Sequence, residues 1–261
     1  MKNLSKTSKI PKIIELEDGT TLIERFSSVR RFEHWFAVII FLFLATTGLP
    51  QKYYTTEWAA ELLRWFGGLD QLRGAHRLFG LFFCTHLVIH LLNIVLEVMR
   101  DHIRMTLFPT RKDLSDMVQT ISYYLGHREK QPIYPKFDYR QKFEYLAIVL
   151  CSIVMAVSGL VLFFPIELMQ VMSGEVILVA REMHSSQAVL ALLLIIIWHL
   201  YGAQLSPEVF PGNASIVHGY MTKQELARKH GAEYERLFGP LDGQSVPRQA
   251  RESSHEKKEG V

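Results

Sequence analysis

Charged residues break the chain unevenly, and between them four long runs carry no Asp, Glu, Lys or Arg: His34 to Gln51, Leu78 to Leu96, Tyr145 to Ile166 and Met183 to Pro207. They hold 18, 19, 22 and 25 residues. A bilayer core of about 30 Å needs about 20 helical residues at a rise of about 1.5 Å each, so every run is long enough to cross. Shorter patterns stand between them. In "EWAAELLRWFGG", Trp58, Leu62, Trp65 and Phe66 fall at helical spacing with Glu61 and Arg64 between them, as in an interfacial helix that anchors at headgroups or offers a docking ledge to an external partner. Thr222 followed by Glu225 predicts a capped start for a short polar helix over "MTKQELARKH". After about Gly239 the chain turns polar and rich in Pro and Gly, the composition of a disordered tail.

The expected fold class is therefore all-α: an integral membrane four-helix bundle with a short outer interfacial helix and a C-terminal helix. Its expected parts are an N-terminal tail over 1–33, a four-helix membrane domain over 34–206 and a C-terminal segment over 207–261. Composition agrees, because a chain with 21% charged residues reaches 49% apolar content and a mean hydropathy of +0.10 only if its apolar residues are concentrated.

A net charge of +3 and a pI near 8.8 do not call for nucleic acid, since Lys and Arg are spread over the tails and connectors. They predict topology. The N-terminal tail has seven, the connector from Arg100 to Lys142 nine and the C-terminal tail eight, against five on the other side: Lys52, Arg64, Arg73, Arg77 and Arg181. The positive-inside rule then puts both termini in the cytoplasm. A multi-pass protein of a bacterial or archaeal cytoplasmic membrane follows, with lipid as its surroundings. The N-terminus has no short apolar region with a small-residue cleavage site and is not expected to be a cleaved signal peptide. Cys84 and Cys151 sit in apolar stretches without CxxC spacing and are expected to be inert.

Ionisable side chains inside spans are costly and mark function. His34, His76, His86, His90, His184 and His199 lie in or beside the runs. Haem iron accepts an imidazole on each face, so haem in a bundle needs two helices presenting His at one depth. His76 and His90 are 14 residues apart, which at about 100° per residue leaves them about 40° apart on one helix face. His184 and His199 are 15 apart, offset by about 60°. Both of these helices run from outside to inside, so His76 matches His184 near the outer surface and His199 lies about 22 Å deeper. Two haem levels are expected. At the inner level either His34 or His90 is placed to face His199, and spacing does not choose between them. His86 falls between the levels. Gly48, Gly80 and Gly159 offer places where a macrocycle can approach the backbone, and Arg30, Arg31, Arg73, Arg77 and Arg181 are placed either to pair with propionates or to anchor at headgroups.

These residues also resemble a known family. "RFEHWFAVIIFLFLATTG", "LRGAHRLFG", "YRQKFEYLAIVLCSIVMAVSGLVLFFP" and "HSSQAVLALLLIIIWHLYGA" are similar, in order and spacing, to the four helices of the formate dehydrogenase gamma subunit, a quinone-reducing di-haem cytochrome b. "GNASIVHGYMTKQELARKHGAEY" resembles the stretch after that family's last helix, so the likeness runs from about residue 25 to 236. It implies two haem b groups, an outer one on His76 and His184 and an inner one on His34 and His199. It also implies a menaquinone or ubiquinone site beside His199 and the segment Phe137 to Lys142, with Asp138, Arg140 and Gln141 as contacts. There the chain departs from the family pattern, carrying Asp138 and Arg140 where Asn and Gly are typical. His90 is a second departure, similar to cytochrome b subunits found beside multihaem cytochromes, and is a candidate for a third haem or a proton path.

The function expected is that of a membrane subunit passing electrons between an extracytoplasmic partner and the quinone pool. Two cysteines cannot build an iron-sulfur or molybdenum site, so an iron-sulfur or multihaem subunit and a catalytic subunit on the outer face are the expected partners. The competing expectations are a stand-alone di-haem cytochrome that oxidises superoxide or reduces a small acceptor at the outer haem, with Arg64, Arg73 and Arg77 steering an anion, and a transporter relaying protons through its histidines.

Overall fold

All four apolar runs lie largely on helices that begin before them. In a computed structural model describing residues 11–101, 107–206, 209–210 and 212–240, α1 covers Ser28–Lys52, α3 Leu69–Asp101 and α5 Tyr139–Phe163. The fourth span is α7, Gly174–Leu193, which continues as a π-helix over Leu194–Leu205. Four helices are thus long and apolar enough to cross a membrane among the described residues.

The helices begin six to nine residues before the uncharged runs. Hydropathy marks only the part that lipid must touch, whereas Arg30, Arg31 and Glu33 or Arg73 and Arg77 extend the same helices where charged heads meet water. At the other end, α5 stops at Phe163 because Pro165 disfavours helical geometry in the residue before it, and Phe164 takes φ −117 and ψ 51. Pro165 then opens the short α6, Pro165–Leu168. The interfacial pattern forms α2, Glu57–Trp65, with Trp58 and Trp65 exposed and Ala59 buried.

Contacts tie the spans together in a unit of residues 29–100 and 146–213. Phe43 of α1 stacks on Phe79 of α3 at 4.2 Å, Arg77 of α3 lies over the Phe163 ring of α5, and Lys52 of α1 donates to Ser185 of α7 at 3.1 Å. The outward faces are apolar, with Ile39, Leu92, Val157 and Ile197 all more than half exposed. Continuous apolar exteriors of this extent are stable against lipid rather than water.

A second unit joins residues 1–28, 101–145 and 214–261. Here β1, Ile13–Glu15, and β2, Thr21–Glu24, form an antiparallel hairpin across Gly19 at φ +82, and β3, Tyr220–Thr222, pairs with β2 in the order β1-β2-β3. Ile23 opposes Met221. Both pack with Leu226, Ala227 and Tyr234 of α9, Lys223–Lys229, and α10, Gly231–Phe238. Thr222 caps α9 in the expected capping box with Glu225. The short α8, Ser215–His218, precedes β3.

Also in this unit is α4, Arg111–Tyr124, with an apolar stripe outward and polar residues inward. Its Asp113, 1% exposed, accepts from Lys142 at 2.7 and 2.9 Å. Burial pushes that carboxyl up, but hydrogen bonds from Lys142 and Thr110 outweigh it and hold the group below its ordinary value. The tail expected to be disordered falls at 241–261, outside the described residues.

Candidate functional site: two facing histidine pairs

His76 on α3 faces His184 on α7 with ring centres 6.3 Å apart, and His34 on α1 faces His199 on the π-helical end of α7 at 6.1 Å. Two imidazoles bound to opposite faces of one iron, each nitrogen about 2 Å from the metal, bring their ring centres roughly 6 Å apart. Both separations meet that requirement. Rings of each pair come from different helices, which a flat macrocycle between them demands. His86 and His90 stack on each other at 6.3 Å from consecutive turns of one helix, α3, and rings so related cannot take opposite faces of a macrocycle lying between them. All six histidines are half-buried.

The π-helix contributes to this alignment. A straight α-helix leaves His184 and His199 about 60° apart, and the wider i→i+5 turn from Leu194 onward lowers the advance per residue and so shrinks that offset.

Behind the outer pair stand residues that hydropathy and histidine spacing do not single out. Thr47 Oγ1 lies 2.9 Å from His76 Nδ1, and Ser158 Oγ lies 3.0 Å from His184 Nδ1. Each hydroxyl also donates to the carbonyl one turn back, Phe43 and Val154, both at 2.6 Å. The next residue in each case is glycine. A Cβ on Gly48 would stand 3.0 Å from His76 Cε1, and one on Gly159 would stand 3.1 Å from His184 Cε1. Only glycine lets each ring lie so close to its supporting helix. Thr47-Gly48 and Ser158-Gly159 are the same hydroxyl-glycine pair, each hydroxyl five residues before the end of its helix, a repeat that shows once the helix ends are known. Beside Gly80 no atom of another helix lies within 4 Å of a Cβ position among the described residues, so a flat ligand can approach the backbone there.

At the inner pair the surroundings differ. His34 Nδ1 is buried and makes no hydrogen bond among the described residues. Its neighbour Glu33 accepts from Arg30 at 3.2 Å and from Asn93 at 3.1 Å, and Arg30 also pairs with Glu97.

Asp138, Arg140 and Gln141 belong to the sheet-containing unit, and His199 to the helical one. Asp138 and Gln141 form a reciprocal cap at the start of α5: Gln141 N–H donates to Asp138 Oδ1 at 2.9 Å, and Asp138 N–H donates to Gln141 Oε1 at 3.2 Å. Asp is among the preferred helix caps, and Asp138 serves that function here. Arg140 donates to the other oxygen, Asp138 Oδ2, at 3.0 and 3.2 Å.

Among the described residues no group of three or more His, Cys, Asp or Glu side chains is gathered to hold a metal ion. Paired imidazoles with a supporting hydroxyl suit a metal that brings its own equatorial ligands, as haem iron does. A family model described as prokaryotic cytochrome b561 matches residues 25–210, which include both histidine pairs. No curated protein matches the chain.

Proposed function

The chain belongs to the prokaryotic cytochrome b561 family, and is thus a membrane b-type cytochrome of electron transfer; on that premise we propose that it carries electrons between an extracytoplasmic partner and a membrane quinone. His76 and His184 hold one haem b near the outer surface, and His34 and His199 hold a second near the cytoplasmic surface. Bound there, haem b supplies one-electron redox chemistry at a potential set by its ligands and surroundings. The observation that supports this reading most is the pair of imidazole separations, 6.3 and 6.1 Å, on opposed helices.

The chain's own residues do the rest of the work. Glycines admit close approach of the outer rings, and Thr47 and Ser158 orient them. The excess of Lys and Arg on both tails and the second connector supports a cytoplasmic location for the inner pair. The quinone is proposed to dock near His199, with menaquinone and ubiquinone the two candidates. Primary substrate chemistry is assigned to an iron-sulfur or multihaem partner with its catalytic subunit.

Reconstitution tests the proposal. Purified protein in liposomes, reduced by dithionite, is mixed with a menaquinone or a ubiquinone analogue, and the b-type bands are followed. Oxidation by a quinone at a rate that falls in His199→Ala supports the reading. Bands that stay reduced with both quinones exclude the quinone assignment while leaving the haem ligands standing.

A further inference from the structure

We propose that Thr47 and Ser158 are positioning residues of the outer histidine pair, each accepting a hydrogen bond from the Nδ1–H of the adjoining ring and so holding that imidazole with Nε2 turned to a haem iron. This rests on the two-haem reading above and extends it to the residues behind the ligands.

A hydroxyl has one proton and two lone pairs. Thr47 commits its proton to the Phe43 carbonyl and Ser158 to the Val154 carbonyl, both at 2.6 Å, the back-bonding that hydroxyl residues use within helices. Only a lone pair then remains to meet His76 Nδ1 at 2.9 Å and His184 Nδ1 at 3.0 Å. Nδ1 is therefore the protonated nitrogen, and Nε2 keeps the lone pair that a metal takes.

Burial makes the arrangement selective. Thr47 is 0% exposed and Ser158 5%, so water does not replace either hydroxyl. The device occurs twice, from α1 and from α5, on both rings of one pair, and each time a glycine beside the hydroxyl lets the ring close in. His34 at the inner pair lacks such a bond at Nδ1 among the described residues. An acceptor at Nδ1 raises the basicity of a metal-bound imidazole, and a more basic ligand favours the oxidised iron. Both hydroxyls adjoin rings of the outer pair, so the outer haem is the one that they hold toward a lower potential.

The test uses the full chain in detergent, with haem counted and each haem titrated potentiometrically and by low-spin electron paramagnetic resonance. The component missing in His76→Ala is the outer haem. Thr47→Val and Ser158→Ala are expected to keep two haems, to raise the outer potential and to move its resonance signal, with the inner haem unchanged. A tenfold loss of preference for the oxidised state reads as about 59 mV. Thr47→Ser restores both properties. If Thr47→Val sheds the outer haem outright, recovery in Thr47→Ser together with the Ser158→Ala shift supports the inference equally. An unmoved outer potential in Thr47→Val and Ser158→Ala, an equal shift of both haems, or a Thr47→Ser protein that behaves as Thr47→Val overturns the inference. Retention of both haems in His76→Ala instead removes the ligand reading itself.

Discussion

Replacing Gly48 by Ala puts a methyl group 3.0 Å from His76 Cε1, and the same change at Gly159 puts one 3.1 Å from His184 Cε1. Ordinary carbon contacts lie at about 3.5–4.0 Å, so ring and helix must part by roughly 0.5 Å or more. Neither neighbour gives easily. Each ring is bonded through Nδ1 to the hydroxyl next to the substituted glycine, and the methyl group would rise from helical backbone held by its own hydrogen bonds. Overpacking of this kind costs about 1–3 kcal/mol, which weakens haem binding at the outer pair by about 5- to 150-fold. Gly74→Ala is the control, because Gly74 is exposed and no atom lies within 4 Å of its Cβ position. The assay is the rate at which the purified protein yields haem to a soluble scavenger, read separately for the outer and inner components. We expect Gly48→Ala and Gly159→Ala to speed loss of the outer haem alone and Gly74→Ala to change nothing. An outer haem held as firmly in Gly48→Ala as in the unsubstituted chain would refute the close-approach argument.

Two further predictions concern the sheet-containing unit. Lys142→Met leaves the Asp113 carboxylate buried without its cation, a loss of about 3–5 kcal/mol, so hydrogen-exchange protection of α4 should fall about a hundredfold or more. The double change Asp113→Leu with Lys142→Met should recover much of it, and equal protection in the single variant would show that the pair does not hold α4. His230 Nδ1 lies 2.8 Å from the Pro135 carbonyl, and burial, assisted by the nearby Arg25 charge, pushes its pKa down to about 3. The folded ring thus stays neutral while the unfolded chain takes a proton below pH 6.5, so stability is full above that value and is lost as pH falls toward 3. From pH 6.5 to 5 the loss is about 2 kcal/mol. Denaturant titration of α9 and α10 amide protection should show this slope, and His230→Gln should flatten it.

What is legible in the sequence is set by period and by depth. Uncharged runs of bilayer length identify spans because lipid tolerates few charges, and histidine spacing along a helix of known rise gives the level of each ring. Thr222 with Glu225 announces α9 because a capping box is a local device. Contacts made between distant segments are not legible. Tyr220–Thr222 pairs with Thr21–Glu24 almost 200 residues away, and three short strands carry no periodicity of their own. His34 and His90 cannot be separated from spacing, because phase on one helix does not tell what stands opposite it; the structure sets His34 across from His199. Thr47 and Ser158 escape notice for a related reason. A hydroxyl in a span satisfies itself on its own helix, and its second role at a ring on another helix appears only when the helices are packed. Asp138 and Gln141 enter as ligand contacts through the resemblance alone, and their mutual hydrogen bonds at the start of α5 become visible only in the fold.

The central claim is that facing imidazoles from opposed helices hold two haems, and haem stoichiometry of the purified chain tests it most directly. Two haem b groups per chain are expected, falling to one in each of His34→Ala, His76→Ala, His184→Ala and His199→Ala, and remaining at two in His86→Ala and His90→Ala. Two haems retained in His34→Ala, or one lost in His90→Ala, would contradict the pairing of His34 with His199, and a chain without reducible b-type bands would contradict the account as a whole.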